Sequence, residues 1–252
     1  GGSPVLSFDD FPQKSNIETW FRLDQTEIYS GSTWRLNDAS SAYSSSLDFE
    51  NSSNQYISGS ASLPNSDYTI SAWINLETVT TESIVTWGED TEGKRRSLFI
   101  WNGGSGAYKL YSSTAYSNVG GSTALSTGQW YHAAVTVSSA GVANIYLNGS
   151  PDGTGTNTLN SFTNTNFYIG RTPIGEYFDG KISNAQIFNT VLPATGSNSI
   201  ETLYNNGKPL ADMSSFSSLV SWWKLDNTTT GIEDSKGSND GTNNGTTKVI
   251  GS

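Results

Sequence analysis

The sequence predicts an all-β fold built as an antiparallel β-sandwich. Three observations lead to this prediction: many short runs alternate apolar and polar residues, turn-forming residues separate those runs, and almost no segment has helical periodicity. The segment 70–76 (ISAWINL) is an example, because its apolar side chains fall on alternate positions. Successive side chains of a strand point to opposite faces, so this segment predicts a half-buried strand.

Seven further runs have the same character. The predicted strands, in chain order, are 70–76, 83–88, 96–101, 107–112, 130–138, 142–148, 166–170 and 181–189. Asn148-Gly149 fits a type I′ hairpin turn, in which both central residues need positive φ, and 102–106 (NGGSG) predicts a looser hairpin. Only 196–206 has apolar residues at helical spacing, which predicts one or two helical turns. This order of elements favours an antiparallel sandwich or barrel over alternating β and α units.

Composition narrows the classes of function. The 252 residues include 34% hydrophobic residues, yet 8 Trp, 12 Tyr and 10 Phe can build a core from few side chains. The net charge of −10 argues against nucleic acid or an anionic membrane as a partner, since both favour basic proteins. The absence of cysteine excludes thiolate metal sites, disulfides and cysteine nucleophiles. No apolar run approaches the roughly 20 residues of a membrane helix, so we expect no membrane insertion.

A short motif occurs near both ends of the chain. Trp20-Phe21-Arg22-Leu23-Asp24 resembles Trp222-Trp223-Lys224-Leu225-Asp226. We therefore divide the chain into an N-terminal segment with a first strand (1–44), a central domain (45–210) and a C-terminal strand segment (211–252). The last segment has three interpretations: addition to the same sandwich, which we favour because it buries the tryptophans, donation to a neighbouring subunit's sheet, or truncation of a second repeat.

Several motifs together carry a resemblance to a known family. They are LDFEN (47–51), DYTISAWINL (67–76), GQWYHAAVTV (128–137), ANIYLNG (143–149), FYIGR (167–171) and YFDGKISNAQIFNTVL (177–192). Over about residues 45–207 this order resembles a laminin G-like jelly roll of the concanavalin A-like lectin and glucanase superfamily. The resemblance implies two curved antiparallel sheets packed face to face, with loops and one concave face available for ligands. The loop 234–242 also resembles the loop that follows the first strand in such domains.

The sequence does not predict an enzyme. Glucanases of the superfamily place Glu-x-Asp-x-Glu on one strand, so that the carboxylates share a face. The nearest stretch here is 89–92 (EDTE), where alternate positions hold Glu89 and Thr91, and we interpret it as a charged hairpin tip. The single histidine, His132, stands in a Trp-x-His context that the resemblance assigns to the framework of the fold.

Binding of a glycan is the remaining interpretation. Sugar rings stack on exposed aromatic faces, while amides and charged groups bond their hydroxyls. The hairpin of 96–101 and 107–112 offers such groups. The candidate ligand-binding residues are Trp101, Asn102, Tyr111, Arg96 and Lys109.

A calcium ion is a further expectation, because many members of the superfamily hold one at the rim of the sandwich with hard oxygen ligands. The candidate ligands are Asp48, Glu50 and Asn51, with Asp179 expected on the opposite rim.

These features predict a non-catalytic carbohydrate-binding or adhesion module that recognises a glycan or glycoprotein outside the cell, at a cell or virion surface. This prediction of function rests on analogy with other proteins of the same fold class. One alternative is a structural subunit of a virion, fibre or surface layer that assembles into a homo-oligomer or contacts neighbouring subunits. A weaker alternative is a glycan hydrolase. A lectin should bind sugar, a structural subunit should assemble, and a hydrolase should release reducing ends.

Overall fold

The structure is a computed structural model that describes residues 28–30, 33–35, 45–104 and 106–250. The chain divides into two compact units, Gly1–Ser41 and Ala42–Ser252. In the first unit, β1 (Ile28–Ser30) and β2 (Thr33–Arg35) form an antiparallel pair. The N-terminal Trp-aromatic motif at 20–24 lies outside the described residues, so its role stays a prediction.

The second unit is a sandwich of two antiparallel sheets. Within the described residues, the first sheet has eight strands: β3 (Ser45–Phe49), β5 (Tyr68–Leu76), β10 (Trp130–Val137), β11 (Val142–Leu147), β12 (Ser150–Thr156), β14 (Gly180–Phe188), β15 (Leu219–Trp223) and β17 (Thr247–Ile250). The second has seven: β4 (Tyr56–Ser60), β6 (Glu82–Gly88), β7 (Arg95–Trp101), β8 (Lys109–Ser113), β9 (Asn118–Gly120), β13 (Asn166–Ile169) and β16 (Thr242–Asn244). The predicted all-β sandwich is confirmed.

The order of the strands differs from their order in the chain. The eight-stranded sheet runs β12-β11-β10-β5-β14-β3-β17, and β15 also pairs with β14. The seven-stranded sheet runs β16-β4-β13-β6-β7-β8-β9. All eight predicted strands are present, with ends that differ by two residues at most, since apolar alternation marks them directly. Asn148 and Gly149 have φ of 49° and 77°, which confirms the predicted type I′ conformation.

The main core lies between the sheets and is formed by the alternate apolar residues. Ile70, Ile74 and Leu76 of β5 point into it and are fully buried. A fully buried aliphatic side chain of this size contributes about 2 kcal/mol of transfer free energy. The strand alternation read from the sequence therefore also identifies the core-facing side of each central strand.

Strand β5 corrects one expectation, because it is buried on both faces and not half-buried. The chain from 189 to 218 covers the outer face of the eight-stranded sheet and includes the predicted helix, α1 (Ile200–Tyr204). The Ser199 hydroxyl caps α1 by accepting a hydrogen bond from the Thr202 N–H at 3.1 Å. A second apolar cluster forms there from Ala134, Tyr146, Phe188, Leu192, Ile200, Leu203, Met213, Phe216, Leu219 and Trp222.

The C-terminal segment supplies strands to both sheets of the same sandwich. Strand β15 pairs with β14, β16 with β4 and β17 with β3. Trp223 is fully buried, its ring centroid lies 4.8 Å from that of Phe167, and its indole N–H donates to the Asn239 carbonyl at 2.8 Å. Asp234 holds the following loop, because Oδ1 accepts from the Trp222 N–H at 2.9 Å. Burial of the tryptophans thus needs no neighbouring subunit.

Candidate functional site

The outer face of the seven-stranded sheet carries a pair of aromatic rings at the β7–β8 hairpin. Phe99 pairs with Tyr111 and Trp101 with Lys109, so these four side chains share one face. The rings of Trp101 and Tyr111 are partly exposed and meet edge to face, with centroids 5.3 Å apart. Asn102 follows directly, and its Oδ1 accepts from the Gly104 N–H at 3.0 Å. We call Trp101, Asn102, Lys109 and Tyr111 the Trp101 patch.

Arg96 does not belong to this patch, and its inclusion among the ligand-binding candidates was wrong. It is fully buried on the core-facing side of β7, where its guanidinium donates to the carbonyls of Asn65 at 2.6 Å, Gly93 at 2.6 Å and Asn160 at 3.1 Å. Burial lowers the pKa of Arg96, which nevertheless stays charged. Trp101 and Arg96 are an odd number of residues apart on one strand, so they point to opposite faces.

Of the two neighbouring arginines of β7, Arg95 is the one on the outer face. Its Nη1 lies 2.7 Å from Asp90 Oδ1 and 3.7 Å from Glu176 Oε2, and its guanidinium lies 5.5 Å from the centre of the Phe99 ring. The contact with Glu176 shows that the loop 171–177 reaches across the middle of this face. On β6 and β7 the hydroxyls of Ser83, Thr86 and Ser97 are buried and bonded to one another. The Trp101 patch is therefore separate from the other exposed part of the face.

That other part is a groove over β4, β13 and β16. The guanidinium of Arg171 lies 4.6 Å from the ring centre of Tyr56, 4.9 Å from that of Tyr168 and 5.2 Å from that of Tyr177. We call this the Arg171 groove; its volume is about 320 Å³ and its lining includes Tyr56, Ser58, Ser60, Asn166, Tyr168, Arg171 and Thr242. The sequence reasoning missed it. The signal available was the alternation of Tyr56, Ser58 and Ser60, together with Tyr168 in FYIGR.

The predicted charged hairpin tip lies between β6 and β7. Lys94 Nζ contacts Glu89 Oε2 at 3.3 Å, and Asp90 pairs with Arg95. The Lys94 N–H donates to the Thr91 carbonyl at 2.9 Å, which closes the turn. Glu89 and Asp90 of this tip are thus paired with the basic residues that follow them.

His132 is part of the interior. It is fully buried, and its Nε2 lies 2.7 Å from Ser71 Oγ. Its ring centroid is 5.0 Å from that of Trp73, and its Nδ1 has no hydrogen-bond partner among the described residues. Burial lowers the pKa of His132 to about 3. A catalytic triad needs a carboxylate on Nδ1 and an accessible serine, and this pair has neither in the described part of the chain.

Acidic side chains gather at one rim of the sandwich. Carboxylate oxygens of Asp48, Glu50 and Glu77 all lie within 4.8 Å of one another. Lys181 Nζ contacts Glu77 Oε1 at 2.5 Å. Asp48 Oδ1 is buried without a hydrogen-bond partner among the described residues. Burial, followed by the charge of Glu77, raises the pKa of Asp48, and burial followed by the charge of Asp48 raises that of Glu50.

Asp179 lies at this same rim, so its expected position on the opposite rim was wrong. The pairing of Gly180 with Phe49 brings Asp179 beside Glu50, and Asp179 Oδ1 accepts from the Asn51 N–H at 3.1 Å. The Asp179 N–H donates to Glu82, whose pKa burial raises to about 7. Clustered hard oxygen donors, one of them unpartnered, fit the ligand preference of Ca²⁺.

Two packed antiparallel sheets, with one outer face covered by chain and the other carrying aromatic patches, define a lectin-like β-sandwich protein. The chain belongs to the concanavalin A-like lectin/glucanases superfamily, whose laminin G-type family model matches residues 49–196. The resemblance inferred from the motifs is thereby confirmed. No curated protein matches the sequence significantly.

Two solved structures are similar to the chain over most of its length. One is a "putative carbohydrate binding protein" from Bacteroides ovatus ATCC 8483, with 25% identity and a TM-score of 0.62 over 82% of this chain. The chain spans 60% of that protein. The other is the heptameric SAP-like pentraxin of Limulus polyphemus, with 18% identity and a TM-score of 0.60 over 83% of this chain and 96% of the pentraxin. Among the described residues, no helix has the length and apolarity to cross a membrane.

Proposed function

We propose that this protein is a non-catalytic carbohydrate-binding module that recognises a glycan or glycoprotein. The observation that carries the proposal is the Trp101 patch, in which two partly exposed aromatic rings stand beside an ammonium and an amide. Pyranose C–H surfaces stack on aromatic faces, and Lys109 and Asn102 supply polar groups for the sugar hydroxyls. The 25% identical Bacteroides protein, described as carbohydrate-binding, supports the same ligand class.

The arrangement of acids supports binding without hydrolysis. A retaining glycosidase needs two free carboxyl groups about 5 Å apart on either side of the scissile bond. Asp90 and Glu176, the acids described on the outer face of the seven-stranded sheet, both contact Arg95. Both carboxylates are therefore engaged by a guanidinium and are not free to act on a bound sugar. The hydrolase alternative therefore gains no support from this face.

The acidic rim is the proposed place for calcium. Asp48, Glu50, Glu77 and Asp179 would hold the ion, with Asn51 orienting Asp179 through its backbone N–H. A divalent cation would neutralise carboxylates that burial and mutual repulsion now disfavour in their charged form. Bound calcium would supply fixed charge and open coordination positions for sugar hydroxyls.

We place this activity outside the cell, at a cell or virion surface, because glycan ligands are displayed there. One argument for the assembly alternative was a terminal strand segment free to join a neighbour, beside the low charge density, the Ser/Asn/Gly-rich loops and the absence of cysteine. Strands β15, β16 and β17 are instead paired within their own sandwich. We therefore propose recognition as the function, and leave assembly as an outcome that light scattering on the same sample would detect.

The test is binding to a broad glycan and polysaccharide array, once with calcium and once with EDTA. Trp101→Ala should weaken binding at least tenfold, about 1.4 kcal/mol, because it removes the stacking surface. Trp130→Ala is the matched control, since Trp130 is also partly exposed but lies on the eight-stranded sheet. Binding that survives Trp101→Ala, or that Trp130→Ala weakens equally, would contradict the assignment of the patch.

A further inference from the structure

The guanidinium of Arg171 is held without an acidic partner. Its Nε donates to the Thr172 carbonyl at 2.9 Å and its Nη2 to the Pro173 carbonyl at 3.2 Å. Among the residues that the structure describes, no carboxylate forms an ion pair with it. Two of the five N–H groups of the guanidinium are thus engaged by the backbone, and the others remain available to a ligand.

The described groups around Arg171 leave its positive charge without a neutralising partner. The three tyrosine rings contact the guanidinium through their π faces and contribute no formal charge. Within the described part of the chain, Lys94, Arg95 and Lys181 each contact a carboxylate. Arg171 differs from these residues, because the groove offers it hydroxyl and amide groups in place of a carboxylate.

Each part of the groove matches a part of a carboxylated sugar. A planar carboxylate pairs with an arginine through two parallel hydrogen bonds, which an ammonium cannot form. Tyr56 and Tyr168 are partly exposed and offer aromatic surface to a pyranose ring. Asn166, Ser60 and Thr242 are exposed at the same groove and can bond sugar hydroxyls.

We propose that the Arg171 groove is a second saccharide site that selects a sugar residue bearing a carboxylate, such as a uronic or sialic acid. This inference rests on the proposed function, because it takes the ligand to be a glycan. The carboxylate pairs with Arg171, and the sugar ring lies against Tyr56 or Tyr168. The Trp101 patch then contacts another part of the glycan, and that part needs no charged group.

The test compares acidic oligosaccharides with their methyl esters, which keep the ring and remove the charge. The probes are trigalacturonate and sialyllactose, each beside its methyl ester, with sulfated carrageenan as a different anion. The unaltered protein should bind at least one acid tenfold or more tightly than its ester. Arg171→Gln should abolish that difference, Arg171→Lys should restore only part of it, and Lys248→Gln, which removes one charge from the exposed strand β17, should leave it unchanged.

The outcomes separate this inference from the proposed function. Equal binding of acid and ester, with Trp101→Ala still weakening both, would overturn the inference and leave the proposed function standing. Binding of no saccharide in either form would overturn both. A preference for carrageenan over both acids would contradict the choice of a carboxylate. The acid and ester comparison on the unaltered protein tests the preference for a carboxylate, and Arg171→Lys tests its place at Arg171 even where Arg171→Gln fails to fold.

Discussion

His132 and Ser71 form a hydrogen bond of 2.7 Å between Nε2 and Oγ in the interior of the protein. The two residues lie on the neighbouring strands β10 and β5, under the segment that covers the eight-stranded sheet. A serine and a histidine at this distance resemble part of a catalytic apparatus. Their complete burial makes them a structural pair.

This pair predicts a pH dependence of stability. Burial lowers the pKa of His132 from 6.5 to about 3, so the unfolded chain binds the proton more readily than the folded one. The contribution of the neutral His132 to the free energy of unfolding is fully present above pH 6.5 and is lost as the pH falls toward 3. Between pH 6.5 and 4.5 the loss should be ~2 kcal/mol.

His132→Gln, which cannot be protonated in this range, should remove that part of the pH dependence. The free energy of unfolding in urea, measured at pH 7, 6, 5 and 4.5, checks it. Carboxylates titrate in both proteins, so only the difference between the two curves counts. Parallel curves for the variant and the unaltered protein would contradict the assignment.

Arg96→Ala should lower the free energy of unfolding by ~3 kcal/mol, because it removes a fully buried side chain together with its hydrogen bonds to the carbonyls of Asn65, Gly93 and Asn160. Arg96→Lys should recover only part of the loss, since an ammonium does not reproduce the planar guanidinium. Glycan affinity per folded molecule should stay unchanged in both variants. A stable Arg96→Ala protein with weakened glycan binding would restore Arg96 to the ligand site.

Truncation of the buried Trp223 and of the partly exposed Trp101 should lower the free energy of unfolding by different amounts. Trp223→Ala should cost ~3–5 kcal/mol, because Trp223 is fully buried against Phe167. Trp101→Ala should cost less than ~1 kcal/mol, because Trp101 is partly exposed on the outer face. Urea denaturation of both variants measures this. Similar costs for both would mean that the C-terminal segment is not integral to the sandwich.

Calcium should stabilise the protein if the acidic rim binds it. At a free concentration 100 times the dissociation constant, the gain is about 2.7 kcal/mol, which appears as a higher melting temperature than in EDTA. Asp48→Asn should abolish the increase, because it removes charge from the centre of the cluster. Glu201→Gln, on the exposed side of α1, is the matched control. The same increase in the Asp48 variant would place any calcium elsewhere.

The Trp101 patch shows how far strand alternation predicts a site. Alternation correctly placed Trp101 and Phe99 on one face, and the hairpin turn placed Lys109 and Tyr111 opposite them. The same rule, applied to Arg96, would have rejected it and selected Arg95. The sequence therefore contained the information that excludes Arg96, and the error was to include Arg96 against the strand alternation.

The sequence by itself determined the strands, the sandwich, the family and the hairpin turn at Asn148-Gly149, because periodicity and turn chemistry are local properties of the chain. Only the tertiary structure decided that the segment 189–218 covers one sheet and that Tyr56 meets Arg171. It also decided that Asp179 joins Asp48 and Glu50 at one rim. These contacts join residues distant in the chain, and their placement depends on strand order and on loop paths that no local pattern encodes.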